Sequence, residues 1–459
     1  MVTSPVQWVR AWNHIGNNMT LSSSLIRSTI VAALGGLLFG FDTAVISGTT
    51  DALTRKFDLS PNGLGLTVAI ALIGTILGAA LAGIPADRYG RRNSLRVLAV
   101  LYIASALGCA FAWNWNSLVL FRFIGGLGIG GSSVVGPMYI AEIAPAKWRG
   151  RLVGCFQFNV VGGILLAYLS NYLIGLQGFG TAEWRWKLGI AFVPAGLFFL
   201  MLFTIPRSPR WLVSKGRIAE ARTVLELIGE QNIDRELADI ARSVDLDHGA
   251  GKEPLFNAKY RLPIFLAISI GMFNQLSGIN AILYYLNHIF AEAGFNKVSG
   301  DLQAVAVGAT NLLFTMIAMS VIDRVGRKKL LLVGAVGTAL CLAGVAMVFL
   351  TGRHGELLVW LLIGYIAFFA FSQGTVIWVY LSEVFPTRVR AKGQSLGSST
   401  YWFMNAIISW TFPMIAAQSK GAPFVIFSAL MVIQFFVVFF IYPETKGITL
   451  EDMQKEMAA

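Results

Sequence analysis

Long apolar runs recur along the whole of this 459-residue sequence, and each is long enough to cross a lipid bilayer as an α-helix. Hydrophobic residues make up 56% of the chain and charged residues only 13%, a share well below that of soluble domains. Such a chain cannot cover itself with a surface compatible with water. The short alternating segments of a membrane β-barrel do not occur. The sequence therefore predicts an all-α membrane protein.

We predict twelve membrane-spanning helices in two bundles of six. The predicted spans are 28–50, 63–86, 93–113, 117–143, 151–175, 186–205, 260–293, 300–323, 329–351, 355–384, 389–417 and 422–442. They divide the chain into an N-terminal segment (1–27), a first bundle (28–205), a polar linker with short amphipathic helices (206–259), a second bundle (260–442) and a C-terminal tail (443–459). The N-terminal segment lacks the apolar core of a signal peptide.

The formal net charge of +12 is distributed as a membrane protein requires. Lys and Arg cluster in the loops after spans 2, 4, 8 and 10 and are sparser in the opposite loops, which is the positive-inside asymmetry. The pattern places both termini and the linker in the cytoplasm and argues against nucleic-acid binding. The three cysteines are scattered through spans and form no metal or disulfide pattern, so we expect no cofactor.

A short charged block occurs once in each half of the chain. Asp87-Arg88-Tyr89-Gly90-Arg91-Arg92 returns as Asp323-Arg324-Val325-Gly326-Arg327-Lys328. Glu142 and Arg149 return as Glu383 and Arg390, and the Pro206–Arg210 segment is echoed by Pro443–Gly447. A repeat over half the chain indicates two homologous halves, a common plan among membrane transporters that alternate between two conformations.

We predict that the charges of these blocks form cytoplasmic ion pairs that latch the halves when that face is closed. The alternative is that they only obey the positive-inside rule. The predicted gate comprises Asp87, Arg91, Arg92, Glu142, Arg149 and Arg210 in the first half and Asp323, Arg327, Glu383, Arg390 and Glu444 in the second.

Asp42 and Arg122 are charged residues inside predicted spans. A lone charge in hydrocarbon is costly, so such residues usually have a partner and serve a transport pathway. We predict that the two pair, and that a conformation that separates them favours protonation of Asp42. This would couple the protein to protons. The alternative is a static ion pair that stabilises the first bundle.

Neutral polar and aromatic side chains gather in the spans of the second half. Amides and indoles can bind hydroxyl groups without carrying charge, and an aromatic face can stack on a sugar ring. Hydrogen bonding between helices is the alternative role. The candidate sugar-binding residues are Gln157, Asn274, Gln275, Asn280, Tyr284, Asn311, Gln373, Trp378, Tyr401, Trp402 and Asn405.

The repeated blocks, the Glu and Arg pairs and the two Pro-initiated segments together resemble the signatures of the sugar porter family of the major facilitator superfamily, over about residues 28–450. The resemblance implies sugar transport by alternating access. It implies that Gln275-Leu276-Ser277-Gly278-Ile279-Asn280 is a sugar-binding motif and that Phe39 lines the site. Asp42 and Arg122 match the pair of bacterial proton-coupled sugar symporters, whereas facilitative glucose transporters typically have Asn at the first position.

Three positions depart from the family pattern. Asn274 replaces the first member of a Gln pair, Tyr401 stands where Asn or Gln is usual, and Arg207 stands where Glu is usual. We expect a monomeric importer, in the inner membrane, of a monosaccharide together with protons. A proton-independent carrier of sugars or polyols and a non-transporting sugar sensor are the alternatives. Hexose, pentose and polyol all remain open as substrates.

Overall fold

The computed structural model describes residues 22–145, 147–249, 254–386 and 389–446, and within these ranges the regular structure is entirely helical. The predicted all-α fold is confirmed. Within the described residues, ten segments are helical, long and apolar enough to cross a membrane. Large apolar side chains such as Leu200, Leu340 and Phe440 are 66–74% exposed, as a lipid-facing surface requires. Most of the N-terminal segment and of the C-terminal tail lies outside the described residues.

The first half carries spans 1 to 6. Its helices are α1 (Ser23–Val45), α2 (Thr50–Phe57), α3 (Pro61–Leu81), α4 (Gly83–Tyr89), α5 (Arg91–Ala110), α6 (Trp115–Ile143), α7 (Arg149–Leu176), α8 (Glu183–Gly189) and α9 (Phe192–Met201). A 3₁₀ turn over Ile46–Thr49 joins α1 to α2. Span 6 consists of the two short helices α8 and α9.

The linker forms α10 (Pro209–Ser214), α11 (Ile218–Ile228) and α12 (Ile233–Gly249). The second half carries spans 7 to 12. Its helices are α13 (Arg261–Leu276), α14 (Ile279–Tyr284), α15 (Leu286–Glu292), α16 (Lys297–Val325), α17 (Arg327–Thr351), α18 (Leu357–Phe371), α19 (Gln373–Glu383), α20 (Arg390–Gln418) and α21 (Ala422–Ile441).

Span 7 and span 10 are each interrupted near their middle. Gly278 separates α13 from α14 at φ +82°, and a Cβ there would lie 2.3 Å from the ring of Phe427. A residue with a side chain is therefore strained at this position for both reasons. Ser372 separates α18 from α19 at φ −123° and ψ −90°. Broken helices free backbone polar groups, which transporters place beside their substrate cavity.

The linker helices lie against one end of the bundle, which we call the linker side. There the Ser22 hydroxyl donates to the Leu227 carbonyl at 3.2 Å, and the Tyr139 hydroxyl donates to the Pro206 carbonyl at 2.8 Å. The opposite end, which we call the far side, carries α2, α8 and α15. These contacts place the start of span 1 at the linker side. Successive spans alternate in direction, so odd spans run toward the far side and even spans return to the linker side.

The halves meet along two seams, where α7 contacts α16 and α3 contacts α20. Hydrogen bonds also join the halves at the far side. The Ser47 hydroxyl donates to Asn287 Oδ1 at 2.7 Å, and the Trp410 indole N–H donates to Asn62 Oδ1 at 2.8 Å. The far side is therefore closed across the halves.

Candidate substrate and proton site

A cavity of about 90 Å³ lies between the halves at the level of the two helix breaks. Both halves contribute to its wall, through α1 and α7 on one side and α13, α14, α16, α18, α19 and α20 on the other. The predicted residues that line it are Phe39, Gln157, Asn274, Asn280, Tyr284, Asn311, Trp378, Tyr401, Trp402 and Asn405.

Gln275 does not line this cavity, although the sequence predicted that it would bind substrate. Its side chain is buried behind the wall, and its Oε1 accepts a hydrogen bond from Asn280 Nδ2 at 3.0 Å. The Nε2 of Gln275 donates to Asn274 Oδ1 at 3.1 Å. The physical reason is helix geometry: Gln275 follows Asn274 on α13, and successive side chains on an α-helix point about 100° apart, so the two do not share a face. Gln275 therefore orients the amides on either side of it.

Gln373 is also placed outside the cavity, contrary to the sequence prediction. Its Nε2 lies 3.4 Å from the sulfur of Met431, and its backbone carbonyl accepts a hydrogen bond from Asn274 Nδ2 at 3.2 Å. Because Gln373 starts a new helix after Ser372, its side chain points into the second bundle. Here the backbone carbonyl, rather than the side-chain amide, supports the cavity wall.

Tyr401 completes the hydrogen-bonded wall. Its hydroxyl accepts from Asn280 Nδ2 at 3.3 Å, and its ring lies 5.3 Å from that of Trp378 and 5.1 Å from that of Trp402. Trp402 in turn lies 5.5 Å from Phe39 of the other half. The cavity thus has an aromatic wall next to an amide wall, a pairing suited to a ring with apolar faces and peripheral hydroxyl groups.

Three polar or aromatic lining residues were not predicted from the sequence. Thr43 and Thr315 contribute hydroxyl groups, and Phe369 contributes an aromatic face. Thr315 follows Asn311 by one helical turn, so helical spacing from a predicted ligand could have identified it. Thr43 adjoins Asp42. Hydroxyl groups in spans more often bond their own backbone, as Thr43 does with the Phe39 carbonyl at 2.9 Å. A hydroxyl residue in a span is therefore a weak sequence signal for a binding site.

Asp42 and Arg122 pair as predicted. Arg122 Nη1 lies 3.2 Å and 3.3 Å from the two carboxylate oxygens of Asp42. The side chain of Arg122 is 4% exposed and that of Asp42 is 19% exposed. A void of about 20 Å³ adjoins the pair on the side of Tyr102 and Cys109. Another void, of about 10 Å³, lies between the pair and the wall of the main cavity. The pair is therefore enclosed but adjacent to the cavity.

On the linker side of the first half, Arg91 lies at the centre of a charged cluster. It contacts Asp87 at 3.0 Å and Glu142 at 2.9 Å, and it donates to the Ala86 carbonyl at 3.0 Å. The Ser208 hydroxyl donates to the other oxygen of Glu142.

Arg327 occupies the corresponding place in the second half. It contacts Asp323 at 2.9 Å and Glu383 at 2.8 Å and donates to the Ile322 carbonyl at 3.3 Å. The Thr445 hydroxyl donates to Glu383 at 2.6 Å.

The ion pairs just described each stay within one half. The predicted latch between the halves concerns a state in which this face is closed, and it stays a prediction. Arg149 forms no ion pair with Glu142 in the described part of the chain, and Arg92 instead donates to the Ile205 carbonyl at 2.8 Å. Arg390 donates to the Phe385 carbonyl at 3.3 Å, and Arg210 lies within electrostatic reach of Glu142. The physical reason is that each block folds back on its own bundle, around the glycine that begins the next helix.

The chain is similar over nearly its whole length to known sugar transporters. The family model described as "Sugar (and other) transporter" matches residues 28–457. The chain is 37% identical to the D-xylose-proton symporter of Escherichia coli strain K12, over 95% of this chain and 96% of that one. It is also 37% identical to the arabinose-proton symporter of Bacillus subtilis strain 168, over 94% of each chain.

Two solved structures of a similar transporter share the fold of this chain and match it to different degrees. The inward open conformation of the xylose transporter of E. coli is similar, with a TM-score of 0.84, 36% identity and coverage of 94% of this chain and 99% of that one. The proton:xylose symporter bound to 6-bromo-6-deoxy-D-glucose gives a TM-score of 0.75 at the same identity, with coverage of 95% and 99%.

Proposed function

We propose that this chain, which belongs to the sugar transporter family of the major facilitator superfamily, imports a monosaccharide together with protons by alternating access. It is a multi-pass membrane protein and not an enzyme. The observation that carries the proposal is the position of the Asp42–Arg122 pair, one small void away from the cavity wall.

The cavity supplies contacts for a neutral polyhydroxylated ring. Asn280, Asn311 and Asn274 present amides, and Trp378 and Trp402 present aromatic faces. The absence of a charged side chain among the described lining residues favours a neutral substrate over a sugar acid or phosphate. The similar symporters are named for the pentoses xylose and arabinose, and one similar structure holds a derivative of the hexose glucose. These similarities support a pentose or a hexose as the substrate here.

The proton would move through Asp42. In the observed state, Arg122 Nη1 contacts both carboxylate oxygens of Asp42. Movement of span 1 against span 4 would separate the groups, and a carboxylate left in a poorly solvated site takes up a proton. Uptake and release of that proton would then follow the same motion that opens the cavity to either side.

We propose that the linker side faces the cytoplasm and that the chain works as a monomer in the inner membrane. The Lys and Arg bias supports this orientation. The TM-score is 0.84 to the inward open structure and 0.75 to the structure bound to 6-bromo-6-deoxy-D-glucose. This difference and the closed far side support a cavity that opens toward the linker side.

The test is transport by protein reconstituted in proteoliposomes, with Asp42→Asn as the decisive variant. We expect Asp42→Asn to abolish uphill sugar uptake driven by a pH gradient, because the amide cannot carry the proton. Sugar exchange down a gradient should persist, which also shows that the variant is folded. Asp58→Asn is the matched control. Asp58 is exposed, and its left-handed backbone (φ +50°) tolerates Asn.

Uphill uptake that survives Asp42→Asn would overturn the proton coupling and favour the proton-independent carrier. No exchange of any hexose, pentose or polyol by the unmodified protein would overturn transport itself and favour a sugar sensor. A competition panel across the three sugar classes, with and without a pH gradient, identifies the substrate.

A further inference from the structure

A network of buried charges crosses between the halves at the far side. Lys187 on α8 is fully buried, and its Nζ lies 2.9 Å from Glu183 Oε1 and 3.0 Å from Asp301 Oδ2. Asp301, at the start of α16 in the other half, is 1% exposed. Lys297, from the same helix as Asp301, contacts the second oxygen of Glu183. The four side chains carry two charges of each sign, so they balance.

Neutral groups extend the network to spans 1 and 7. The Gly48 carbonyl accepts a hydrogen bond from Lys187 Nζ at 3.3 Å. Asn287 donates to the free oxygen of Asp301 and accepts from Ser47 at 2.7 Å. Spans 1, 6, 7 and 8 therefore meet at one ion pair, Lys187 with Asp301.

The packing around Asp301 leaves no room for an added methyl group. A Cβ on Gly175, at the far end of α7, would lie 2.8 Å from Asp301 Oδ2. Gly162 on the same helix has open space at the corresponding point. The close approach of the two halves thus depends on a glycine that faces the carboxylate.

We propose that the Lys187–Asp301 pair is a lock that holds the far side closed and sets the balance between the two access states. A buried pair is stable while both partners are present, and leaving one of them unpaired in a dry site is strongly unfavourable. Once the halves separate, water reaches both charges. A state in which the halves are only partly separated leaves the charges unpaired and still dry, so that state is unfavourable. The far side is therefore either fully closed or fully open.

This proposal rests on the proposed alternating-access function for its meaning, but it can be tested without transport. The distance across the far side is measured by electron–electron resonance between spin labels at Lys56→Cys and Arg353→Cys, in full-length protein in which Cys109, Cys155 and Cys341 are replaced by Ala. Both labelled positions are exposed, on far-side segments of opposite halves.

Asp301→Asn leaves the buried cluster with one excess positive charge, and Lys187→Met leaves it with one excess negative charge. Each variant should therefore raise the ratio of open to closed far side by about tenfold or more. The double variant should open less than the two single effects combined, because the partners act on each other. Glu292→Gln is the matched control. Glu292 pairs with Lys420 at the same side but within the second half, so its loss should leave the distance unchanged.

Gly175→Ala gives an independent readout should the charge variants fold poorly. It should open the far side, whereas Gly162→Ala should not. Distances in Asp301→Asn equal to those in Glu292→Gln, additive effects in the double variant, or equal behaviour of the two glycine variants would each overturn the lock. A protein that transports no sugar but still opens in Asp301→Asn would retain the lock and lose the proposed function.

Discussion

The charged clusters on the linker side of the two halves make the same kinds of contact, yet they differ in the charge of one residue beside the central arginine's helix. In each cluster an arginine bonds an acid one turn before it, a glutamate from a distant span and a backbone carbonyl, and a hydroxyl group holds the glutamate. Gly90 and Gly326, which precede the arginines, even share φ values of +91° and +99°.

The difference lies beside the helix that each arginine begins. In the second half, Glu444 accepts from the backbone N–H groups of Arg327 at 2.8 Å and Lys328 at 3.1 Å, so it caps α17. In the first half, the matching place holds Arg207, whose guanidinium lies 5.6 Å from the Trp211 ring centroid. The first turn of α5 therefore lacks a carboxylate cap. The carboxylate cap is therefore present in the second cluster and missing from the described part of the first.

The largest expected effect tests what the clusters share. Glu142→Ala and Glu383→Ala each leave a largely buried arginine without its main acceptor, and each should cost about 2–3 kcal/mol of stability. Thermal unfolding in detergent micelles should show similar drops for both variants. Glu356→Ala, at an exposed site, is the control. A drop in one half alone would show that the clusters are not equivalent.

A smaller effect tests where they differ. Glu444→Ala should cost about 1–2 kcal/mol, because two N–H groups at the start of α17 lose their acceptor. Arg207→Ala should change stability by less than about 0.5 kcal/mol, since it caps nothing. The same unfolding assay compares them. Equal losses would mean that Arg207 has a role that its described contacts do not explain.

The variant with the smallest expected effect places a carboxylate in the first cluster where the second cluster already has one. Arg207→Glu should stabilise the first turn of α5 by about 0.5–1 kcal/mol, through the helix dipole and the nearby Arg92 and Arg96. Hydrogen exchange at that turn should slow. Lys215→Glu makes the same change of charge at an exposed site and should leave the exchange unchanged. Equal exchange in the two variants would contradict the missing cap.

The sequence was sufficient for the helices and for the residues that meet within one helix or one repeat. Span length and apolar composition predicted the fold, and the scarcity of charge inside spans predicted the pairing of Asp42 with Arg122. The order in which helices leave and re-enter the bundle then brought most of the predicted amides and aromatics to one cavity.

What the sequence did not predict depends on rotation about helix axes and on contacts between the halves. The side chains of Gln275 and Gln373, next to the breaks at Gly278 and Ser372, point away from the cavity. Neither break contains a proline that would mark it in the sequence. Lys187 and Asp301 lie at the ends of predicted spans, where charged residues are common, so nothing in the sequence marks them as partners. Their pairing requires the far-side closure itself, which no local pattern encodes.

The break at Gly278 also makes the outer part of span 7 a lever with a fixed pivot. Asn287 lies nine residues beyond it, a reach of about 14 Å at the rise of an α-helix. A swing of about 10° moves that point by about 2.4 Å, which is comparable to the length of a hydrogen bond. A modest tilt about one glycine would therefore be enough to withdraw Asn287 from both Ser47 and Asp301. Asn280, which lines the cavity, lies two residues from this glycine, whereas the contacts that close the far side lie at the distant end of the segment.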